Sequence, residues 1–153
     1  MLSSRTFAPK PTYSDEHFKK YLEEGFRIEQ KVASVIRDWG FSCSIPQFEF
    51  RENLADINRF TENQTDLVIN GFIRVEIKGS SIKFTSPSDF PLPFLIVDSK
   101  YVYDKKKYKP DIYISYSIST DQFCAIDGQD VSLWEVKEIY DKRRNLSKPC
   151  YTV

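Results

Sequence analysis

One stretch constrains this chain more than any other: Thr65-Asp66-Leu67-Val68-Ile69-Asn70-Gly71-Phe72-Ile73-Arg74-Val75-Glu76-Ile77-Lys78-Gly79. Two apolar runs meet at Asn70-Gly71, the strongest short-range hairpin signal a single sequence offers. Side chains alternate along a strand, so Phe72, Arg74, Glu76 and Lys78 share one face and Ile73, Val75 and Ile77 the other. An acid and a base two residues apart on an apolar strand are costly unless they are paired or bind something. Asp66, at the far end of the partner strand, can bring a second carboxylate to the same spot.

Length and composition bound the rest. The chain has 153 residues, enough for one domain with a real core, with 41% hydrophobic and 15% aromatic content. No run approaches the ~18 apolar residues of a membrane span. Residues 1–10 lack the apolar core of a signal peptide. Cys43, Cys124 and Cys150 are far apart, odd in number and without a C-x-x-C pair, and read as reduced thiols in a cytosolic protein. The formal net charge is zero, a mild argument against a nucleic-acid binder, whose usual footprint is a basic face. Metal-binding carboxylates would lower the net charge without touching such a face. The single histidine, His17, lies among charged residues and reads as exposed, which excludes histidine-rich zinc sites and Ser-His-Asp hydrolases. No glycine-rich phosphate loop occurs.

Residues 1–12 read as a flexible arm. A helix is expected from Thr12–Ser14, with Asp15 and Glu16 in its first turn, to Trp39, stopping at Gly40. Its apolar stripe is Phe18, Leu22, Gly25/Phe26, Val32, Ile36 and Trp39, and Gly25 would let it lie close to a sheet. Glu29 interrupts that stripe. A carboxylate on a buried face must be paired, protonated or metal-bound; the alternative to a site role is an ion pair with Lys31 or Arg37. Phe41 to Phe50 reads as the first strand, and Arg51 to Gln64 as a long polar loop. Arg51 and Arg59 are candidates for phosphate contacts or plain solvated groups. Past the hairpin, Lys83 and Thr85 lie in a small, hydroxyl-rich segment that suits phosphate contacts. Pro87, Pro91 and Pro93 mark a turn-rich crossing, and Phe94 to Val97 a short buried strand. Ser99 to Lys107 is helix or basic loop. Its lysines, Lys105, Lys106 and Lys107, suit nucleic acid or simply water, and Tyr101, Tyr103 and Tyr108 suit packing better than base stacking. Asp111–Ile118 and Gln122–Ile126 are expected as paired strands. Ser132 with Glu135 spells a capping box opening a helix to Arg144, and Pro149–Val153 a last strand.

The hairpin resembles the signature of the PD-(D/E)XK nuclease superfamily: an Asp opening one strand and Glu-x-Lys on the next. Here Asp66 is followed after nine residues by Glu76-Ile77-Lys78, with Thr65 in place of the proline. The spacing and the Asn-Gly are similar to those of phage endonuclease I type junction resolvases. The resemblance covers roughly residues 18–118. It implies an α/β fold with a mixed sheet, a restriction-endonuclease-like αβββαβ core, here with additional C-terminal strands and a helix, in one domain over residues 1–153. It also implies a magnesium-dependent (or manganese-dependent) endonuclease acting on DNA, possible as a homodimer, in the cytoplasm of the cell or of a phage host. Asp66, Glu76 and the Ile77 carbonyl would hold the metal, Glu29 would join them from the helix, and Lys78 would act on the attacking water. A non-catalytic module on the same scaffold is the competing expectation.

That reading carries a geometric demand. A two-residue Asn70-Gly71 turn would pair Ile69 with Phe72, and Asp66 with Val75, pointing Asp66 away from Glu76. A three-residue loop or a bulge places Asp66 opposite Glu76, with Gly71 supplying the positive φ, and is the expected arrangement. Pro110-Asp111 with Glu135-Val136-Lys137 spells a second copy of the motif. It is set aside because this Glu-x-Lys falls in the expected helix, where residues two apart do not face each other.

Overall fold

The computed structural model describes residues 15–46 and 65–153, apart from Arg143 and the side chains of Asp15, His17 and Phe18. The expected arm, the helix start at Thr12–Ser14, Phe48, Phe50, and the loop with Arg51 and Arg59 lie outside the described residues, as do the side chains of His17 and Phe18. The chain runs α1 (Asp15–Asp38), β1 (Cys43–Ser44), β2 (Leu67–Ile69), β3 (Ile73–Ser80), β4 (Ile96–Ser99), α2 (Lys100–Lys105), β5 (Ile112–Ser117), β6 (Phe123–Asp127), β7 (Glu135–Asp141) and β8 (Leu146–Thr152). Short 3-10 turns at Pro87–Asp89 and Val131–Leu133 punctuate the connections.

Two sheets result, and the fold is mixed α and β. The larger has five strands in the order β1-β2-β3-β5-β6, the smaller three in the order β4-β8-β7. Neighbours are antiparallel except β3 and β5, which run parallel. A parallel pair needs a long crossing, and here it carries the proline-rich segment, β4 and α2. Strand β5 lies between β3 and β6 and is buried along most of its length. Its odd and even residues serve two cores.

One core lies between the large sheet and α1: Ile28, Val32, Ala33 and Ile36 pack on Cys43, Leu67, Val75, Ile114 and Tyr116. The helix uses its expected stripe only in part, because Trp39 is 63% exposed at the end while Ile28 and Ala33 are buried. The close approach of helix and sheet is also not at Gly25, where an added Cβ would meet open space. It is at Gly79, where a Cβ would stand 3.2 Å from Ile28 Cδ1. The second core lies on the sheet's other side, where Val97, Tyr103, Tyr113 and Ile126 pack with Leu95, Trp134 and Tyr151. Tyr103 is thus a packing residue, edge-on to Trp134 and Tyr151.

The capping-box expectation fails. Residues 135–141 form β7, not a helix, and no α-helix follows α2 among the described residues. Ser132 Oγ bonds Asp130 Oδ1 at 3.0 Å instead of capping, and β7 pairs along its whole length with β8. A capping box is worth about 1 kcal/mol, and the ladder to β8 outweighs it. The last strand also begins earlier than expected, at Leu146. Pro149 is accommodated because β4 pairs with β8 only over Cys150–Thr152, leaving Pro149 paired to β7 alone.

Candidate active site

The hairpin register decides the site. Leu67 pairs with Val75, Val68 with Arg74 and Ile69 with Ile73, so three residues, Asn70-Gly71-Phe72, form the loop. Asn70 and Gly71 have φ of 53° and 81°, and the Phe72 N–H closes the turn on the Ile69 carbonyl at 3.2 Å. The same count sets Asp66 opposite Glu76. Just before β2 the chain bends, and the Asp66 carboxylate (Oδ2) accepts the Ile77 N–H at 2.7 Å. It therefore sits at the end of β2, beside the middle of β3.

Glu29 arrives from α1. It is 7% exposed, and its carboxyl shares a hydrogen bond with that of Asp66. Neither cation offered by the sequence takes it: Lys31 pairs with Asp121 at 2.6 Å, and Arg37 Nε donates to the Cys43 carbonyl at 2.9 Å. Burial, and then the neighbouring Asp66, push the Glu29 pKa well above the ordinary carboxylate range. Burial and the charge of Glu76 likewise raise Asp66, against the pull of the Ile77 N–H and of Lys78. A carboxyl buried against a second, half-buried one is favoured in its protonated form. One oxygen, Glu29 Oε2, is buried with no partner.

On the other side of Asp66 stand Glu76 and Lys78. Lys78 Nζ lies 3.1 Å from Glu76 Oε1 and 3.2 Å from Asp98 Oδ1. Partial burial works against its ammonium, but Asp98 first and Glu76 next outweigh it and hold its pKa above the usual lysine value. Lys106 Nζ stands 3.3 Å from Glu76 Oε2. Tyr113, facing Glu76 across the parallel ladder, donates its hydroxyl to Asp98 Oδ2 at 2.8 Å. Burial opposes ionisation of Asp98, yet Lys78 and Lys106 bring its pKa below the ordinary value.

The structure thus brings Glu29, Asp66, Glu76 and Lys78 together around the end of β2. The carboxylates are split: Glu29 and Asp66 share a hydrogen bond, while Glu76 and Asp98 hold two ammonium groups. Among the described residues no three His, Cys, Asp or Glu side chains form a group that could hold a metal ion. The expected phosphate contacts separate. Lys83, Lys105 and Lys107 are exposed. Thr85 is tied into a turn by its hydroxyl bond to Asp89 at 2.6 Å. Lys106 departs from the expected outward role, its side chain being 7% exposed and turned onto Glu76. The second copy of the motif stays apart, though not for the reason given by a helix. Glu135 and Lys137 share a face of β7 and pair at 3.5 Å on the surface, while Asp111 is engaged by the Arg74 N–H and by Gln129.

Sequence reasoning missed Asp98 and Tyr113. A lone acid ending the apolar Leu95-Ile96-Val97 run carried the signal that marked Glu29. Nothing local distinguishes Lys106 from the lysines flanking it. Comparison of the chain with protein-family models, with curated proteins and with solved structures returns no match. No helix among the described residues is long and apolar enough to cross a membrane.

Proposed function

We propose that this chain is a metal-dependent endodeoxyribonuclease with a restriction-endonuclease-like core, hydrolysing phosphodiester bonds at the Glu29, Asp66, Glu76 and Lys78 constellation. The observation that carries the reading is the hairpin register, which puts Asp66 opposite Glu76 with Lys78 on the same face. The element order supports it as well: a helix, an antiparallel β1-β2-β3 meander, and a crossing to β5 parallel to β3.

Asp66, Glu76 and the Ile77 carbonyl offer oxygen ligands, the type that Mg²⁺ or Mn²⁺ prefers. The unpartnered Glu29 Oε2 and its closeness to the Asp66 carboxyl support a cation being accepted there in place of a proton. When bound, such an ion polarises a phosphoryl oxygen and makes a coordinated water more acidic. Lys78, protonated and partly open to solvent, orients the attacking water or offsets negative charge on the phosphate. Glu29 would join these ligands through water or at a second ion. The exposure of Lys83, Lys105 and Lys107 supports contacts with the DNA backbone, and a homodimer would allow both strands to be cut.

The test is a titration of Mg²⁺ and Mn²⁺ on supercoiled plasmid, with EDTA as control, followed by duplex, flap, junction and single-stranded DNA. Asp66→Ala, Glu76→Ala and Lys78→Ala are each expected to lower cleavage at least about 100-fold, about 2.7 kcal/mol of transition-state stabilisation, in protein that remains folded. Full cleavage by any of these purified variants removes that residue from the mechanism. One observation favours a second reading, an inactive DNA-binding or assembly module: Glu76 is already neutralised by Lys78 and Lys106. DNA binding without cleavage under every metal condition would select it.

A further inference from the structure

Two side chains beside Glu76 and Lys78 have no part in the reaction as drawn above. Asp98 lies on β4, where the Ser99 N–H donates to its Oδ1 at 2.8 Å and Tyr113 to its Oδ2. Lys106 follows α2, 3.3 Å from Glu76 Oε2 and 3.7 Å from Asp98 Oδ2. The contacts close a ring of alternating charge: Asp98 to Lys78, Lys78 to Glu76, Glu76 to Lys106, and Lys106 back to Asp98. Turning any member away leaves its two neighbours, which are alike in charge, to share the single counter-ion opposite, a penalty at buried positions.

The ring is open on one side. The side chains of Asp98, Lys106 and Glu76 are 2%, 7% and 14% exposed, whereas that of Lys78 is 38% exposed. Lys78 is the ring member most open to substrate; Glu76 and Asp98 hold its ammonium, and Lys106 in turn holds those two carboxylates. Asp98 is itself fixed by a tyrosine on the neighbouring large sheet, so the anchor comes from packing rather than from β3.

We propose that Asp98 and Lys106 are positioning residues: Asp98, held by Tyr113, anchors the Lys78 ammonium toward solvent, and Lys106 fixes the Glu76 carboxylate. The benefit to cleavage rests on the nuclease reading; the anchoring does not. Groups that act through Lys78 and Glu76 without touching DNA belong to kcat rather than to KM.

The test uses the full chain with ¹⁵N-labelled lysine, observing the Lys78 ammonium by NMR (assigned by Lys78→Arg) alongside steady-state cleavage. Asp98→Asn is expected to shift or broaden the Lys78 signal and lower kcat about 10- to 100-fold, with KM for DNA unchanged. Lys106→Met should lower kcat likewise, and Lys106→Arg should restore most of it. Tyr113→Phe, which keeps all four charges, is expected to perturb the same signal less, and answers the question should Asp98→Asn not fold. A Lys78 signal unmoved in Tyr113→Phe and in folded Asp98→Asn overturns the proposal, as does a rise in KM at constant kcat. If the wild type cuts no DNA while these variants still release the Lys78 ammonium, the anchoring stands and the nuclease reading falls.

Discussion

At the scale of single residues, Glu29 links the helix pattern to the chemistry. Its carboxyl is buried against Asp66, and both pKa values are raised. The folded chain therefore binds more protons than the unfolded one above the ordinary glutamate value of 4.5, and stability must fall as the pH rises through that range. Melting temperatures measured from about pH 5 to about pH 8 should decline in the wild type and flatten in Glu29→Gln, which carries no titrating proton. A cation bound by the pair would replace a proton, so added Mg²⁺ should raise the wild-type melting temperature increasingly toward the upper end of that range. No Mg²⁺ effect at any pH would show that these carboxyls take no metal. Asp98 teaches the same rule: an acid within an apolar segment has a partner, and here it has Lys78, Lys106 and Tyr113.

At the scale of elements, local signals succeed where no distant strand competes. The Asn70-Gly71 turn, the bounds of β5 and the end of α1 near Trp39–Gly40 all follow from residues close in sequence. The segment 132–144 shows the opposite. Its capping box is a genuine local preference, but Val136, Ile139 and Tyr140 suit a strand equally well, and β8 offers a ladder along residues 135–141. Because Ser132 caps nothing here, Ser132→Ala should change stability by no more than about 0.5 kcal/mol in urea melts. A loss of about 1 kcal/mol or more would indicate an N-cap and return the helix. The short β1 and the position of the helix–sheet contact at Gly79 likewise depend on how α1 settles on the sheet, which no periodicity specifies.

At the scale of the whole molecule, zero net charge hides an uneven distribution. Several acids are turned inward onto lysines or onto each other, while Lys83, Lys105 and Lys107 remain at the surface. On the proposed nuclease reading, the double variant Lys105→Glu/Lys107→Glu should weaken DNA binding regardless of sequence and reduce the slope of log affinity against log salt by about 2. Fluorescence anisotropy over a salt series reads this directly. An unchanged slope would place the DNA on another face. The two sheets also divide the labour of the fold: one core fastens α1 and Glu29 to the large sheet, the other fastens β4 and α2, and with them Asp98 and Lys106, to its opposite side.

The amino-acid order by itself determined the hairpin, the alternation of Glu76 and Lys78 against Ile73, Val75 and Ile77, and the anomaly of Glu29. Each is written in neighbours a few residues apart, where backbone preference and side-chain period act directly. Only the tertiary structure decided that Glu29 meets Asp66, that the middle lysine of Lys105-Lys106-Lys107 turns inward, and that residues 135–141 extend instead of coiling. Those outcomes depend on pairing and burial between segments tens of residues apart, whose energies exceed the local preferences they override.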